Sequence, residues 1–338
     1  MGTDRSARKV CKKGDETRMI AYLMNLTEYN LLFFIGILAA FAGTCVLLKT
    51  CTGILPRDQG RAFAVEGQLS QGKPRGAGFW FVIVFLAAAL LFGAVTREVV
   101  IYLILVAAAM MTGFLDDCSE KPWGELKKGL FDLAIAVMTA VTFLNFNPNT
   151  IHFALLGTDI TLPVWLYGIL IVVLVWAAIN VTNCSDGVDG LSGTLGIVTL
   201  MTIYMVSQKL GGANEDMYLV LLFCACILGY LWFNATPSKL LMGDAGSRAM
   251  GVFIAIMTLK SGCPVLYLLT GFVFIMDGGL GLVKVALLRY LKIRILANTK
   301  TPLHDHVRKV WGWSNTQTVY RFVIVQIVIA VAVVYLAR

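Results

Sequence analysis

The chain has 338 residues, 58% of them hydrophobic and 14% charged, with a formal net charge of +8 and a mean hydropathy of +0.77. A soluble domain carries about 25% charged residues, so the composition excludes a soluble globular protein and points to a polytopic membrane protein. In such a chain Lys and Arg gather in cytoplasmic loops, so the positive charge is no sign of a nucleic-acid partner, and none is expected.

Residues 1–24 form a basic tail with Arg5, Arg8, Lys9, Lys12, Lys13 and Arg18. The tail lacks the short apolar core and cleavage site of a secretory signal. Residues 25–338 read as one integral membrane domain. A spanning helix needs about 20 mostly apolar residues. The apolar runs place spans near 31–48, 79–96, 98–115, 129–146, 162–180, 190–207, 217–234, 247–261, 264–283 and 317–336. The reading is an all-α polytopic fold of about ten transmembrane helices. Sixteen Lys and Arg lie in connections that follow odd-numbered spans and four in the others, which puts the former in the cytoplasm. The basic tail, which ten spans place outside, opposes this count, and five loops outweigh it. The eight cysteines show no paired zinc or redox spacing and read as free, mostly buried thiols.

Four polar clusters interrupt the apolar runs, all on the cytoplasmic side of this topology. Asp116-Asp117 closes the third span, and ionisable residues at a bilayer are functional-site hypotheses by default. Adjacent residues at a helix end point about 100° apart, so one carboxylate can bind a metal while the other handles a proton. A solvated helix end would need no function. Asn183, Asp186 and Asp189 follow at steps of three, a spacing that shares a face on a helix. No Lys or Arg in that loop balances them, and a divalent cation is the simplest candidate; helix capping by Asp186 is the plain alternative. Gly243-Asp244-Ala245-Gly246-Ser247 reads as a turn entering a helix. Such a turn suits a phosphate carried with Mg²⁺, although the same pattern makes an ordinary helix start. Pro302-Leu303-His304-Asp305-His306 follows an amphipathic stretch, Val283 to Leu296, suited to the membrane interface, with Gly278-Gly279 placed to bend the ninth span before it. His152 falls in an outside loop. These residues describe an Mg²⁺-dependent site for a phosphorylated substrate at the cytoplasmic surface. A transporter pathway is the competing class, but its carboxylates would sit near the midplane.

Gly113-Phe114-Leu115-Asp116-Asp117, Asn183-x-Ser185-Asp186-Gly187-x-Asp189-Gly190-Leu191, Asn234 to Pro237, Met242-Gly243-Asp244-x-Gly246-Ser247 and Pro302-x-His304-x-His306 occur in order across most of the chain. In this the chain resembles the polyprenyl-phosphate N-acetylhexosamine-1-phosphate transferase superfamily, of glycosyltransferase family 4 type. The resemblance implies Mg²⁺ as cofactor, ten spans with both termini outside, homodimers, inhibition by nucleoside antibiotics such as tunicamycin, and a bacterial plasma membrane location. It is greatest to the muramoyl branch, which implies UDP-MurNAc-pentapeptide and undecaprenyl phosphate as substrates, lipid I and UMP as products, and a place in peptidoglycan synthesis. Transfer of GlcNAc-1-phosphate from UDP-GlcNAc is the sister activity. By the same matching Asp116, Asp117 and Asp244 are catalytic, with Asp244 and Asp117 on the metal. Lys73, Lys128, Asn183, Asp186, Asp189, Asn234, Gly243, Ser247, His304, Asp305 and His306 are expected to bind substrate.

The departures concern recognition. Asp305 replaces a histidine, Glu120 a lysine and Leu241 an aromatic residue, and the first cytoplasmic loop reads Gly72-Lys73-Pro74-Arg75-Gly76 where Gly-Thr-Pro-Thr-Met is usual. Ser185 agrees with the muramoyl branch. The loop from Lys284 to His306 is expected to turn His304 towards Asp116, Asp117 and Asp244, with Asp305 accepting a hydrogen bond from His304 or His306.

Overall fold

The computed structural model describes residues 29–60, 70–212 and 215–338. The tail assigned to residues 1–24 lies outside the described residues. The helices are α1 (Tyr29–Thr50), α2 (Gly78–Phe92), α3 (Arg97–Asp117), α4 (Glu125–Phe146), α5 (Val164–Cys184), α6 (Leu191–Lys209), α7 (Tyr218–Asn234) and α8 (Gly243–Lys260). A broken helix α9 (Pro264–Thr270 and Phe272–Leu291), the short α10 (Leu303–Lys309) and α11 (Asn315–Leu336) complete the chain. Every apolar run expected to span is helical. Local sequence sets several boundaries. Thr96 caps α3 by accepting from Val99 N at 3.1 Å. Ser314 and Gln317 form a reciprocal capping box on α11, which satisfies otherwise orphaned backbone donors.

Among the described residues, six helices are long and apolar enough to cross a membrane, and α9 makes a seventh if its bent halves count as one span. Helices α2 and α7 are apolar but shorter, and α8 carries Asp244, Arg248 and Lys260. The chain is therefore a largely helical, multi-pass membrane protein.

Helix α8 is the axis of the molecule, with every residue from Gly243 to Leu259 buried. Glycines bring its neighbours close. A Cβ at Gly78 would lie 2.0 Å from Gly246 N, one at Gly113 2.3 Å from Asp244 O, and one at Gly251 2.6 Å from Ile179 Cα. Small residues at such crossings let backbones pack directly where lipid offers no hydrophobic drive. The ion pair of Arg248 with Asp132 ties α8 to α4 inside the bundle.

The all-α reading holds with one small addition and two corrections. β1 (Thr150–Phe153) pairs antiparallel with β2 (Thr158–Thr161) in a short hairpin. Gly157, at φ 66°, supports the turn between them. The 71° break in α9 falls at Gly271, and Gly278-Gly279 instead lie in a π-helical stretch where Gly278 lets Val181 O approach. The amphipathic stretch from Val283 is helical only to Leu291, since Lys292 adopts a left-handed conformation at φ 58° and ends it.

Candidate active site

The close crossing at Gly113 sets the C-terminal end of α3 against the N-terminal end of α8. Asp117 Oδ2 accepts from the Ala245 N–H at 3.1 Å, so a carboxylate sits at the positive end of the α8 dipole. Gly243 makes room for it. Its φ is 72°, and a Cβ there would lie 2.4 Å from Asp117 Oδ2. Asp116 and Asp117 diverge, as adjacent helical residues must. Asp116 accepts from Trp123 N at 2.6 Å and pairs with Lys128. Lys128 also reaches Asp244 Oδ2 at 3.0 Å.

Arg75 completes the network. Its Nε lies 2.9 Å from Asp117 Oδ1 and its terminal nitrogens 3.4 Å from Asp244 Oδ1 and 3.6 Å from Asp58 Oδ1. The contact with Asp117 Oδ1 is a charge contact, and that buried oxygen has no aligned hydrogen bond. Burial opposes the Arg75 charge, but Asp117, Asp244 and Asp58 outweigh it and hold the guanidinium above its ordinary value. Four carboxylates face two cations here.

A cavity of about 790 Å³ opens beside this network. Asp244, Gly243, Lys73, Asn183, Asp186, Asp189, Asn234, His304 and Asp305 line it, while Asp116, Asp117, Lys128, Ser247 and His306 do not. The expected shared helical face for Asn183, Asp186 and Asp189 is wrong. Helix α5 ends at Cys184, and Gly190 at φ 83° turns the chain into α6, so the two aspartates lie on a loop. Asp189 accepts from Ser238 N at 3.1 Å, and Lys73 donates to Ser238 Oγ at 3.0 Å. Asn183 donates to Ser247 Oγ at 2.9 Å. Asn234 joins two loops, accepting from Gly190 N and donating to Leu240 O.

His304 is buried, and its partner is not Asp305. Its backbone N–H donates to Asp277 Oδ1 at 2.7 Å and its Nδ1 lies 2.8 Å from Asp277 Oδ2. Its Nε2 packs on Gly187, where a Cβ would lie 2.3 Å away. His304 therefore turns to the Asp186 loop rather than to the Asp116–Asp117 pair. Asp305 pairs with Lys309 at 2.8 Å and lies 3.9 Å from Arg308. His306 Nδ1 accepts from Lys300 N at 3.2 Å and its ring rests on Trp311.

Residues 99–262 match the model of glycosyl transferase family 4. Phospho-N-acetylmuramoyl-pentapeptide-transferase of Treponema pallidum (strain Nichols) is 38% identical over 319 residues, 89% of this chain and 88% of that protein. The chain belongs to the phospho-N-acetylmuramoyl-pentapeptide-transferase family. Transferases of the same name from Gloeothece citriformis and Shouchella clausii are 32% and 26% identical, over 77% and 92% of the chain and 73% and 98% of their own lengths.

In this transferase the donors at Asp117 and Asp244 are hard oxygens. Among the described residues no three metal-capable side chains converge into a ready chelate. Mg²⁺ requires less, commonly one or two carboxylates with substrate phosphates and waters. The unaligned Asp117 Oδ1 and the two-charge excess of carboxylate fit such an ion. Sequence reasoning passed over Arg75, Asp58 and Asp277 as site residues. Asp277 carried a usable signal, an acidic residue inside an apolar run.

Proposed function

We propose that this protein transfers phospho-MurNAc-pentapeptide from UDP-MurNAc-pentapeptide to undecaprenyl phosphate, giving lipid I and UMP. The observation that carries this reading is the meeting of Asp116, Asp117 and Asp244 beside a polar cavity, in a chain of this family. The acceptor phosphate oxygen attacks the β-phosphorus of the sugar nucleotide, a new P–O bond forms, and the bond to the bridging oxygen of UMP breaks. Phosphoryl transfer depends on positioning and charge neutralisation more than on covalent help. Asp117 Oδ1, held by the Arg75 guanidinium at 2.9 Å without an aligned hydrogen bond, is the oxygen that would orient the lipid phosphate or take its proton once that side chain swings aside. Asp116 is committed to Lys128 and the Trp123 N–H, and so positions the Lys128 ammonium at Asp244. Mg²⁺ held by Asp244 and Asp117 would offset the pyrophosphate charge. Asn183, Asp186, Asp189 and Lys73 supply polar contacts for the nucleotide sugar, and the buried Asp277 carboxylate fixes the His304 ring at the cavity wall.

We read α1 to α9 and α11 as ten spans, with the cavity facing the cytoplasm of a bacterial plasma membrane. Two features support this. The shorter and more charged segments are packed inside the bundle, and the basic loops share the side of the carboxylates. The deciding assay gives purified protein undecaprenyl phosphate with UDP-MurNAc-pentapeptide or UDP-GlcNAc and follows UMP. Release with the first alone is expected. Release with only the second assigns the sister activity, and release with neither contradicts the proposal.

A further inference from the structure

We propose that Arg75 is a tethered cation that competes with a divalent metal ion for the Asp117–Asp244 carboxylates, and so sets the ion concentration at which the site loads. This inference rests on the metal assignment proposed above. One guanidinium spans both carboxylates, 2.9 Å from Asp117 Oδ1 and 3.4 Å from Asp244 Oδ1. These are the oxygens that face away from the other partners, since Ala245 N takes Asp117 Oδ2 and Lys128 takes Asp244 Oδ2. Arg75 therefore occupies the acceptor positions an entering cation needs.

The contact is strong in charge and weak in geometry. Neither distance and angle set makes the parallel two-bond fork of a tight Arg–carboxylate pair, and Asp117 Oδ1 lacks an aligned donor. The backbone at Arg75 is fixed, with its N–H on Pro56 O at 2.8 Å and the neighbouring Pro74 O bonded to Leu241 N at 2.8 Å. Exchange then requires only a side-chain swing. Asp58 provides the resting place. It lies 3.6 Å from the guanidinium and is held by Ser70 Oγ at 2.6 Å and Gly60 N at 3.2 Å. A guanidinium stays charged at any physiological pH, so the competition is built in.

Mn²⁺ binding to the purified full chain, read by loss of the free-ion electron paramagnetic resonance signal, tests this without reference to turnover. Arg75→Gln is expected to bind Mn²⁺ about tenfold or more tightly than the wild type, because a cation beside the ion has gone. Arg75→Met, which keeps the apolar stem, should shift the same way and guards against a folding defect in the first variant. Added Mg²⁺ should raise the melting temperature of either variant more than that of the wild type. Asp244→Asn should lose binding. Equal or weaker binding by both Arg75 variants, with Asp244→Asn still defective, would overturn the role of Arg75 and leave the metal assignment standing. No Mn²⁺ binding by the wild type or by either variant would overturn the metal assignment and this proposal with it.

Discussion

The two ends of α8 each carry a buried charge cluster, and they differ in what is left over. At the C-terminal end, Lys260 Nζ lies 2.9 Å from both Glu98 Oε2 and Asp216 Oδ2 and 3.2 Å from Asn147 Oδ1. Asn147 and Tyr102 both donate to Glu98 Oε1, at 2.6 and 2.8 Å. That cluster is a closed clasp joining α3, α4, α8 and the turn before α7. At the N-terminal end, four carboxylates face two cations, one oxygen lacks an aligned donor, and a cavity opens alongside. Buried charge by itself therefore does not mark an active site, nor does an excess of carboxylate, since two carboxylates face one cation at Lys260 as well. A buried carboxylate oxygen without an aligned donor next to accessible space does.

Substitutions can break that distinction. Asp117→Asn should reduce UMP release by about 10²-fold or more, the scale for losing a key electrostatic or proton-transfer group, while the protein stays folded by thermal melting. Lys260→Met should do the opposite. Removing one partner of a buried ion pair costs about 3 kcal/mol, read as a lower unfolding midpoint, with turnover per folded molecule within about twofold of wild type. A larger catalytic than stability loss in Lys260→Met would erase the contrast between the ends. His304→Ala should slow turnover by about tenfold, within the range for a positioned side chain. Asp305→His should change it by less than about threefold, because Asp305 pairs with Lys309 rather than with a histidine. The reverse order in the same assay would show the histidine turn misread.

The smallest effect is pH-dependent. The Arg338 carbonyl and then the Asp159 carboxylate raise the His152 pKa above its ordinary value of 6.5. Its contribution is fully present below about 6.5 and is lost as pH rises through the higher folded value. Hydrogen exchange at the Arg338 amide, bonded to Ala154 O, should quicken over that rise in the wild type beyond its ordinary base-catalysed increase. A His152→Gln protein should show only the ordinary increase.

The helices were legible because lipid imposes long apolar runs, and each run from 31 to 336 became helical, the one from 264 broken at Gly271. The hairpin at Thr150–Thr161 was not, since four-residue strands carry almost no periodic signal. The bend of α9 was assigned to the glycine pair that instead serves close packing against Val181. In the site, Asp116, Asp117 and Asp244 stood out as charge at apolar edges, and the fold brings them together. Their partners did not. Arg75 is 42 residues from Asp117 and 169 from Asp244 in sequence, and no local pattern ties a loop arginine to either. Asp305 was chosen for His304 because it is adjacent, yet neighbours on a helical turn point apart, and Asp277 from the preceding helix takes that place.

The most direct test of the account compares UMP release by wild type and Asp244→Asn, each supplied with UDP-MurNAc-pentapeptide and undecaprenyl phosphate, in EDTA and again after excess Mg²⁺. Release is expected from the wild type only with Mg²⁺, and with Mg²⁺ present Asp244→Asn should release UMP about 10²-fold or more slowly. Equal release by the two proteins in Mg²⁺, or wild-type release undiminished in EDTA, would contradict this.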